Sequence, residues 1–320
     1  MQVVREEYVS VSAWTFSDIP DQTGRTVVVT GANTGIGREA ATMFARKGAH
    51  VVLACRDPRK GDDAVKRIRA LRPSGSVRAD LLDLADLDSV GAFAEAFRAG
   101  HDRLDVLINN AGVMWSPLSR TKQGFELQFG TNHLGHFALT GQLLPLLLRT
   151  PGARVTTMSS LAQKFGRIDF DDLDWRRRSY SSGAAYNQSK LANMMFVLEL
   201  QRRLEASGSA MVVTAAHPGW TSSELTRHSH SVIRRVSPVV GLKPEIGTLG
   251  LMRAATDPTA SSGSYWGPGR FFETRGYPSS ARISRRAEDI TVAARLWEES
   301  SVLTGVAYAF VGRTERATDV

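Results

Sequence analysis

Apolar positions along this chain alternate between two spacings. Thr26 to Thr30 is a short β-branched run that ends in a glycine turn, and Ile36 to Lys47 then carries helical spacing with Ala40, Phe44 and Ala45 apolar. His50 to Cys55 reads as a strand covered on both faces, which needs no polar alternation. Pro58 opens a helix, at a position where its missing N–H costs nothing, and that helix runs to about Leu71. Strand patterns recur at Ser76–Asp80, Leu104–Asn109, Arg154–Met158 and Met211–Ala216. Helical patterns cover Leu87–Arg98, a long helix within Phe125–Leu148, then Tyr186–Ala206 and Glu288–Leu303. Short strands separated by helices predict parallel βαβ units, and hence an α/β fold with a doubly wound parallel sheet in a single domain over residues 23–320. Residues 1–22 show no clear period and read as an N-terminal arm. Lys164 to Ala184 and residues 221–243 read as insertions, the second as a variable substrate lid, and Ser261–Gly269 as turn-rich.

Composition narrows the picture. At 320 residues, with 42% hydrophobic and 22% charged, the chain can bury a sizeable core unaided. Its single cysteine, Cys55, excludes an intrachain disulfide and fits a reducing compartment. The net charge of +8 suits a polyphosphate ligand. The arginines are scattered apart from Arg176–Arg178, which reads as a solvated loop sooner than a functional patch, and no nucleic acid partner is expected. No stretch reaches the ~18 apolar residues of a membrane span, and the N-terminus lacks a signal-peptide pattern. The expectation is a soluble, cytoplasmic protein with no stable membrane anchor.

The first chemical signal is Thr30-Gly31-Ala32-Asn33-Thr34-Gly35-Ile36-Gly37, between a predicted strand and a predicted helix. Glycine lets the backbone approach a pyrophosphate, and a helix N-terminus offers it free N–H groups. The order is TGxxxGxG and not GxGxxG, but the strand–loop–helix context is that of a Rossmann-type dinucleotide site. A site for NAD usually carries an acid after its second strand, to hold the ribose 2′-hydroxyl. Here that strand ends Ala54-Cys55-Arg56. Arg56, with Arg38 beyond the glycine loop, suits a 2′-phosphate, since guanidinium donates two parallel hydrogen bonds. NADP(H) is therefore the preferred cofactor, with NAD(H) left open, because two surface arginines in an arginine-rich chain are the plainer reading.

The second signal is Tyr186 and Lys190, four residues apart on one helical face. An ammonium beside a phenol lowers its pKa and makes it usable in acid–base chemistry. That spacing is common by chance, but its neighbours add weight. Ser159-Ser160 ends a strand, where a hydroxyl can bond a substrate oxygen that gains charge, and Asn109-Asn110-Ala111-Gly112 ends another. Strand ends of a parallel sheet converge on one crevice. No metal is expected: HExxH and CxxC are absent, and Asp169, Asp171, Asp172 and Asp174 read as solvated acids. No G-x-S-x-G elbow points to a hydrolase.

Taken in order, TGANTGIG, NNAG, Ser159-Ser160, YNQSK and HPG from His217 resemble the short-chain dehydrogenase/reductase family, from about Thr23 to Thr304. The stretches FELQFGTNHLGHF, SSLAQKFGRIDFDDLDW and AAYNQSKLAN resemble its retinol-dehydrogenase-like group, and YWGPGRFFETRGYP its soluble bacterial members. The resemblance implies Tyr186 as general acid or base. Lys190 would hold the nicotinamide ribose, Ser160 would polarise the carbonyl, and Asn132 would place a water in a proton relay. It also implies cofactor contacts from Gly31, Asn33, Thr34, Gly35, Ile36, Gly37 and Arg38. Arg56, Asp83, Leu84, Asn110, Ala111, Gly112, Pro218, Gly219 and Thr221 complete that set, with Ser223 beside the last.

The implied function is an NADP(H)-preferring oxidoreductase acting on a small apolar aldehyde, ketone or alcohol, with Trp175, Trp220 and Tyr265 offered as pocket walls. Reduction of a carbon–carbon double bond, or a non-catalytic dinucleotide sensor, are the alternatives. A homodimer is expected, with Leu191, Met195 and Leu198 facing the partner; packing within one chain is the competing reading.

Overall fold

The computed structural model describes residues 13–219 and 243–310. Its strands are β1 (Thr26–Thr30), β2 (His50–Cys55), β3 (Ser76–Leu81), β4 (Val106–Asn109), β5 (Arg154–Met158), β6 (Val212–Ala216), β7 (Tyr265–Arg270) and β8 (Arg275–Ser280). Its helices are α1 (Gly35–Arg46), α2 (Pro58–Ala70), α3 (Leu87–Gly100), α4 (Gly135–Arg149), α5 (Ser182–Ala206), α6 (Pro244–Thr256) and α7 (Ile290–Thr304). The strands form one sheet in the order β3-β2-β1-β4-β5-β6-β7-β8. All neighbours pair in parallel except β7 and β8. The chain winds outward to β3, returns beside β1 as β4, and continues the other way. A doubly wound sheet opens its ligand crevice at that reversal, beyond the strands' carboxyl ends.

Helices cover both faces, so β1 is buried at every position. Val27 and Val29 meet Phe44 of α1, Ile68 of α2 and Met252 of α6 in one core, while Val28 joins Phe93, Phe137, Met194 and Trp297 in the other. Each such buried side chain contributes about 1.5–3 kcal/mol by leaving water, which is why a run of valines becomes a central strand here.

The long helix within Phe125–Leu148 is present, with helical backbone from Leu127 to Arg149, a π turn at Gly130–Leu134 inside it, and the regular stretch α4 beginning at Gly135. Two expectations need correction. Tyr186 does not open its helix. Ser181 caps α5 through the Ala184 N–H, so Tyr186 stands in the second turn. The stretch Ser261–Gly269 is not all turn. Tyr265 and Trp266 pair with Ala215 and Ala216, and β7 then returns as β8 with Pro268 opposite Pro278. Neither proline can donate a ladder hydrogen bond, so this hairpin depends on β6 beside it and carries little strand signal of its own.

The α7 helix lies across α4 and α5. Trp297 stacks on Phe196 at 5.9 Å and meets Phe137 edge-on at 5.0 Å, and the Tyr308 hydroxyl donates to the Phe137 carbonyl at 2.6 Å. Leu191 and Met195 are buried within the chain and Leu198 is partly buried, so the residues offered for a dimer face are spent on internal packing. Among the described residues, no helix is long and apolar enough to cross a membrane.

Candidate active site

The end of β1, the start of α1 and the end of β4 build a cradle. Gly31 and Gly35 both take positive φ, at 65° and 56°. A Cβ on Gly31 would lie 2.9 Å from the Ala111 Cβ, and one on Gly37 would lie 2.5 Å from both Asn110 Nδ2 and the Gly31 oxygen. The loop thus packs against the Asn110–Gly112 turn as closely as backbone allows. Asn110 Nδ2 donates to the Thr30 carbonyl at 2.8 Å, and the backbone N–H groups of Asn110 and Ala111 both donate to Thr30 Oγ1 at 2.9 Å. Thr34 caps α1 without a side-chain hydrogen bond, and the first turn carries no acid, so its N–H groups and positive end are left for an anion. These features fit a dinucleotide pyrophosphate: a Cβ would fill the space, and donors line it.

Arg38 is half-buried and Arg56 exposed, and neither makes a side-chain hydrogen bond or ion pair among the described residues. Asp57, the nearest acid in sequence, is turned to helix duty and accepts the Lys60 N–H at 3.2 Å as the cap of α2. Asp83 accepts the Ala85 N–H at 2.9 Å, and buried Leu84 lies under Gly135, whose Cβ would strike the Leu84 oxygen at 2.4 Å.

Across the crevice, β5 and α5 bring Ser160, Tyr186 and Lys190 together. The two serines differ. Ser159 is buried and donates to the Lys190 carbonyl at 2.9 Å. Ser160 Oγ accepts the Ala162 N–H at 3.2 Å, which leaves its own hydrogen to give. Lys190 is buried; its ammonium donates to the Met158 carbonyl at 3.0 Å and lies 5.7 Å from the Tyr186 ring centre. Burial pulls Lys190 down to about 8 and pushes the Tyr186 hydroxyl up to about 12, against a smaller downward pull from Ser160. Enclosure penalises both charged forms, so burial moves the two groups in opposite directions.

Asn132 sits in the π turn and is fully buried. Its side chain accepts the Val113 N–H at 2.8 Å and donates to the Val113 carbonyl at 3.0 Å and Ser189 Oγ at 2.9 Å. A Cβ on Gly112 would lie 3.0 Å from Asn132 Oδ1 and 3.6 Å from Lys190 Nζ, so the cradle turn, the asparagine and the lysine meet at Gly112.

The HPG segment closes the far side. His217 is buried against Tyr265, with ring centres 5.1 Å apart, and its Nδ1 accepts the Gly219 N–H at 3.2 Å. Gly219 has φ 67° and abuts the Thr274 carbonyl, where a Cβ would come within 2.6 Å. Glu273, between β7 and β8, accepts from Lys164 Nζ at 2.9 Å and from the Arg282 N–H at 3.2 Å. It thereby joins the turn after Ser160 to the hairpin. His217 lies 3.6 Å away, too long for a hydrogen bond but close enough to help hold the Glu273 carboxyl down to about 2. Nothing in the sequence flags Glu273. Trp220, Thr221, Ser223 and nearly all of the lid fall outside the described residues. Trp175 is buried with the Arg178 guanidinium 3.6 Å above its ring, so it is packing and not an open wall; Tyr265 is buried, and its hydroxyl has no hydrogen-bond partner among the described residues.

The acidic cluster and the arginine triplet satisfy each other. Asp172 accepts the backbone N–H groups of Arg176, Arg177 and Arg178, and Arg178 pairs with Asp169 at 3.1 Å. Among the described residues no group of acids, histidines and cysteines could hold a metal ion.

Comparison with known proteins places this geometry. The family model for short chain dehydrogenase matches residues 25–232. Human Retinol dehydrogenase 13 is 43% identical over 291 residues, covering 88% of this chain and 85% of the relative. A crystal structure of an uncharacterized protein from Mycobacterium paratuberculosis has a TM-score of 0.79 at 44% identity and covers 93% of this chain and 100% of that one. The Pseudomonas aeruginosa RhlG/NADP complex has a TM-score of 0.62 at 27% identity over 79% of this chain and 96% of that one.

Proposed function

The chain belongs to the short-chain dehydrogenase family and is an NAD(P)-dependent oxidoreductase resembling the retinol dehydrogenases, and we propose that it interconverts an apolar aldehyde or ketone and its alcohol, with NADP(H) preferred and Tyr186 as general acid and base. The observation that carries this reading is the meeting of Ser160, Tyr186, Lys190 and Asn132 across a crevice from an anion cradle. When bound, the cofactor supplies or accepts the hydride at the carbonyl carbon. In reduction, Ser160 donates its free hydrogen to the carbonyl oxygen as charge develops there, and Tyr186 delivers a proton to that oxygen. Its high pKa keeps it protonated at neutral pH, which suits the acid role. Lys190 holds the ribose and balances the phenolate left behind.

The glycine loop and the Asn110–Gly112 turn hold the pyrophosphate and adenosine ribose, Asp83 and Leu84 the adenine, and Pro218, Gly219 and Thr221 the nicotinamide amide. The preference for NADP(H) rests on Arg38 and Arg56, which make no side-chain hydrogen bond or ion pair among the described residues, and on the occupation of Asp57 by its helix cap. The bound NADP of the Pseudomonas relative accords with it. The apolar substrate class rests on the relatives' names, since retinol is an apolar alcohol. The single cysteine, buried, accords with a cytoplasmic location.

The test follows NADPH absorbance against a panel of apolar aldehydes and ketones, with product analysis to separate alcohols from saturated carbonyls. Tyr186→Phe should lose turnover by about 100-fold or more, the usual size of a general acid's contribution. A folded protein that binds neither NADPH nor NADH overturns the reading.

A further inference from the structure

His136 follows Asn132 by one helical turn and is almost fully buried. Both ring nitrogens are engaged. Nδ1 lies 2.9 Å from the Asn132 carbonyl, and Nε2 lies 2.9 Å from Thr30 Oγ1. These two contacts determine where every hydrogen sits. A carbonyl only accepts, so Nδ1 must carry the proton. The Thr30 hydroxyl has two lone pairs, and the N–H groups of Asn110 and Ala111 point at both. Its own hydrogen must therefore be donated. The Ile108 carbonyl is 3.3 Å away and His136 Nε2 is nearer, in line for the better bond. Nε2 is then the acceptor and the imidazole is neutral.

The result is a chain of donors running one way, from the Asn110–Ala111 N–H groups to the Thr30 hydroxyl, to His136, to the Asn132 carbonyl. Hydrogen bonds in such a chain polarise one another. One end is the floor of the cofactor cradle. The other is the main-chain oxygen of Asn132, whose side chain is fully spent on Val113 and Ser189 and can do no chemistry itself. The turn bearing that oxygen is a π turn, a geometry that departs from regular helix and needs something to hold it.

We propose that His136 is a positioning residue, a neutral two-ended strut that sets the Asn132 carbonyl relative to the cofactor cradle through Thr30. It rests on the function proposed above, with Asn132 placing a water in a proton relay as the family resemblance implies. It is not itself a proton carrier: burial pulls the imidazole down to about 4, with the Lys190 charge adding to the effect and the Asn132 bond opposing it. The Nδ1 hydrogen faces an amide carbonyl, which accepts a hydrogen bond and does not carry a proton onward.

Two substitutions separate the ends. In His136→Asn the amide nitrogen stands near the Nδ1 position and keeps the Asn132 bond while losing Thr30. In His136→Gln the amide oxygen reaches toward Thr30 and the Asn132 bond is lost. Misplacement of reacting groups by an ångström costs up to about 100-fold, so His136→Gln should lower kcat by roughly 10–100-fold with KM for NADPH within about 3-fold of wild type. Its solvent deuterium isotope effect on kcat should rise, because the proton step becomes limiting. His136→Asn should keep kcat within about 3-fold and raise KM for NADPH. A merely structural histidine would lower the melting temperature in both and leave the isotope effect alone.

Should neither variant fold, nitrogen-15 NMR of the wild-type histidines decides. The His136 signal, assigned by correlation to its backbone, should show a neutral ring protonated at Nδ1 and constant from about pH 5 to 9, as a buried ring held at both ends requires. A His136 signal protonated at Nε2 or titrating in that range, or equal kinetics in the two variants, overturns the proposal. The NMR arm does not depend on turnover, so a failure of the reductase reading stays distinguishable from a failure of the strut.

Discussion

Gly37→Ala tests the cradle at its tightest point. The added Cβ would lie 2.5 Å from Asn110 Nδ2 and 2.5 Å from the Gly31 oxygen. A carbon and an oxygen in comfortable contact sit about 3.3–3.6 Å apart, so the neighbours must retreat by about 1 Å. Neither can do so freely. Asn110 Nδ2 is held by the Thr30 carbonyl at 2.8 Å, and Gly31 is backed by Ala111 with only 2.9 Å of room. Overpacking of this kind costs about 1–3 kcal/mol. At roughly 2–4 °C per kcal/mol, the melting temperature should fall by about 2–12 °C. The displaced loop also loses a hydrogen bond to the pyrophosphate, a charged acceptor, worth about 1.5–3 kcal/mol. KM should therefore rise by roughly 10–150-fold for NADPH and NADH alike, since the pyrophosphate is common to both. Scanning calorimetry and initial rates with each cofactor read the two effects. Gly91→Ala is the control: its nearest neighbour is Gln142 Oε1 at 3.9 Å, and a helical alanine there should be neutral or stabilising by about 1 kcal/mol. Unchanged KM for both cofactors and an unchanged melting temperature in Gly37→Ala would refute the close-packed cradle.

Arg38→Ala and Arg56→Ala should each weaken NADPH binding by about 10-fold, the size of one partly exposed charged hydrogen bond, and leave NADH binding unchanged; equal loss for both cofactors, by fluorescence titration, would remove the 2′-phosphate assignment. With Tyr186 pushed up to about 12 and Lys190 pulled down to about 8, the phenol is protonated at neutral pH. Alcohol oxidation, which needs the phenolate, should therefore rise between about pH 6 and 8, while carbonyl reduction holds level over that window; a flat profile for oxidation, measured at saturating cofactor, would contradict that assignment.

The legible parts of this protein were those whose chemistry is local. A run of valines bounded by a glycine turn can only be a buried strand entering a tight loop, and the structure places β1 and the start of α1 there. The order of the central strands and their helices followed from periodicity, because both faces of the sheet are covered there and β1 and β4 are buried at every position. The spacing of Tyr186 and Lys190 placed them on one helical face, although the helix begins earlier than its apolar pattern suggested.

What only the tertiary structure decided depends on atoms far apart in the chain. The β7–β8 hairpin has prolines facing each other and is held by β6, so its signal lies in a neighbour and not in its own residues. Leu191 and Met195 were expected on a partner-facing surface, with internal packing as the competing reading, and packing within the chain took them. Ser159 and Ser160 looked alike in the sequence and His136 carried no chemical signal, and their separate roles follow only from what surrounds them. Sequence periodicity reports which face a residue occupies, because that is set by the backbone. It does not report which distant hydroxyl or carbonyl will meet that face, and hydrogen-bond direction, burial and the resulting pKa shifts of Tyr186 and Lys190 are set by that meeting.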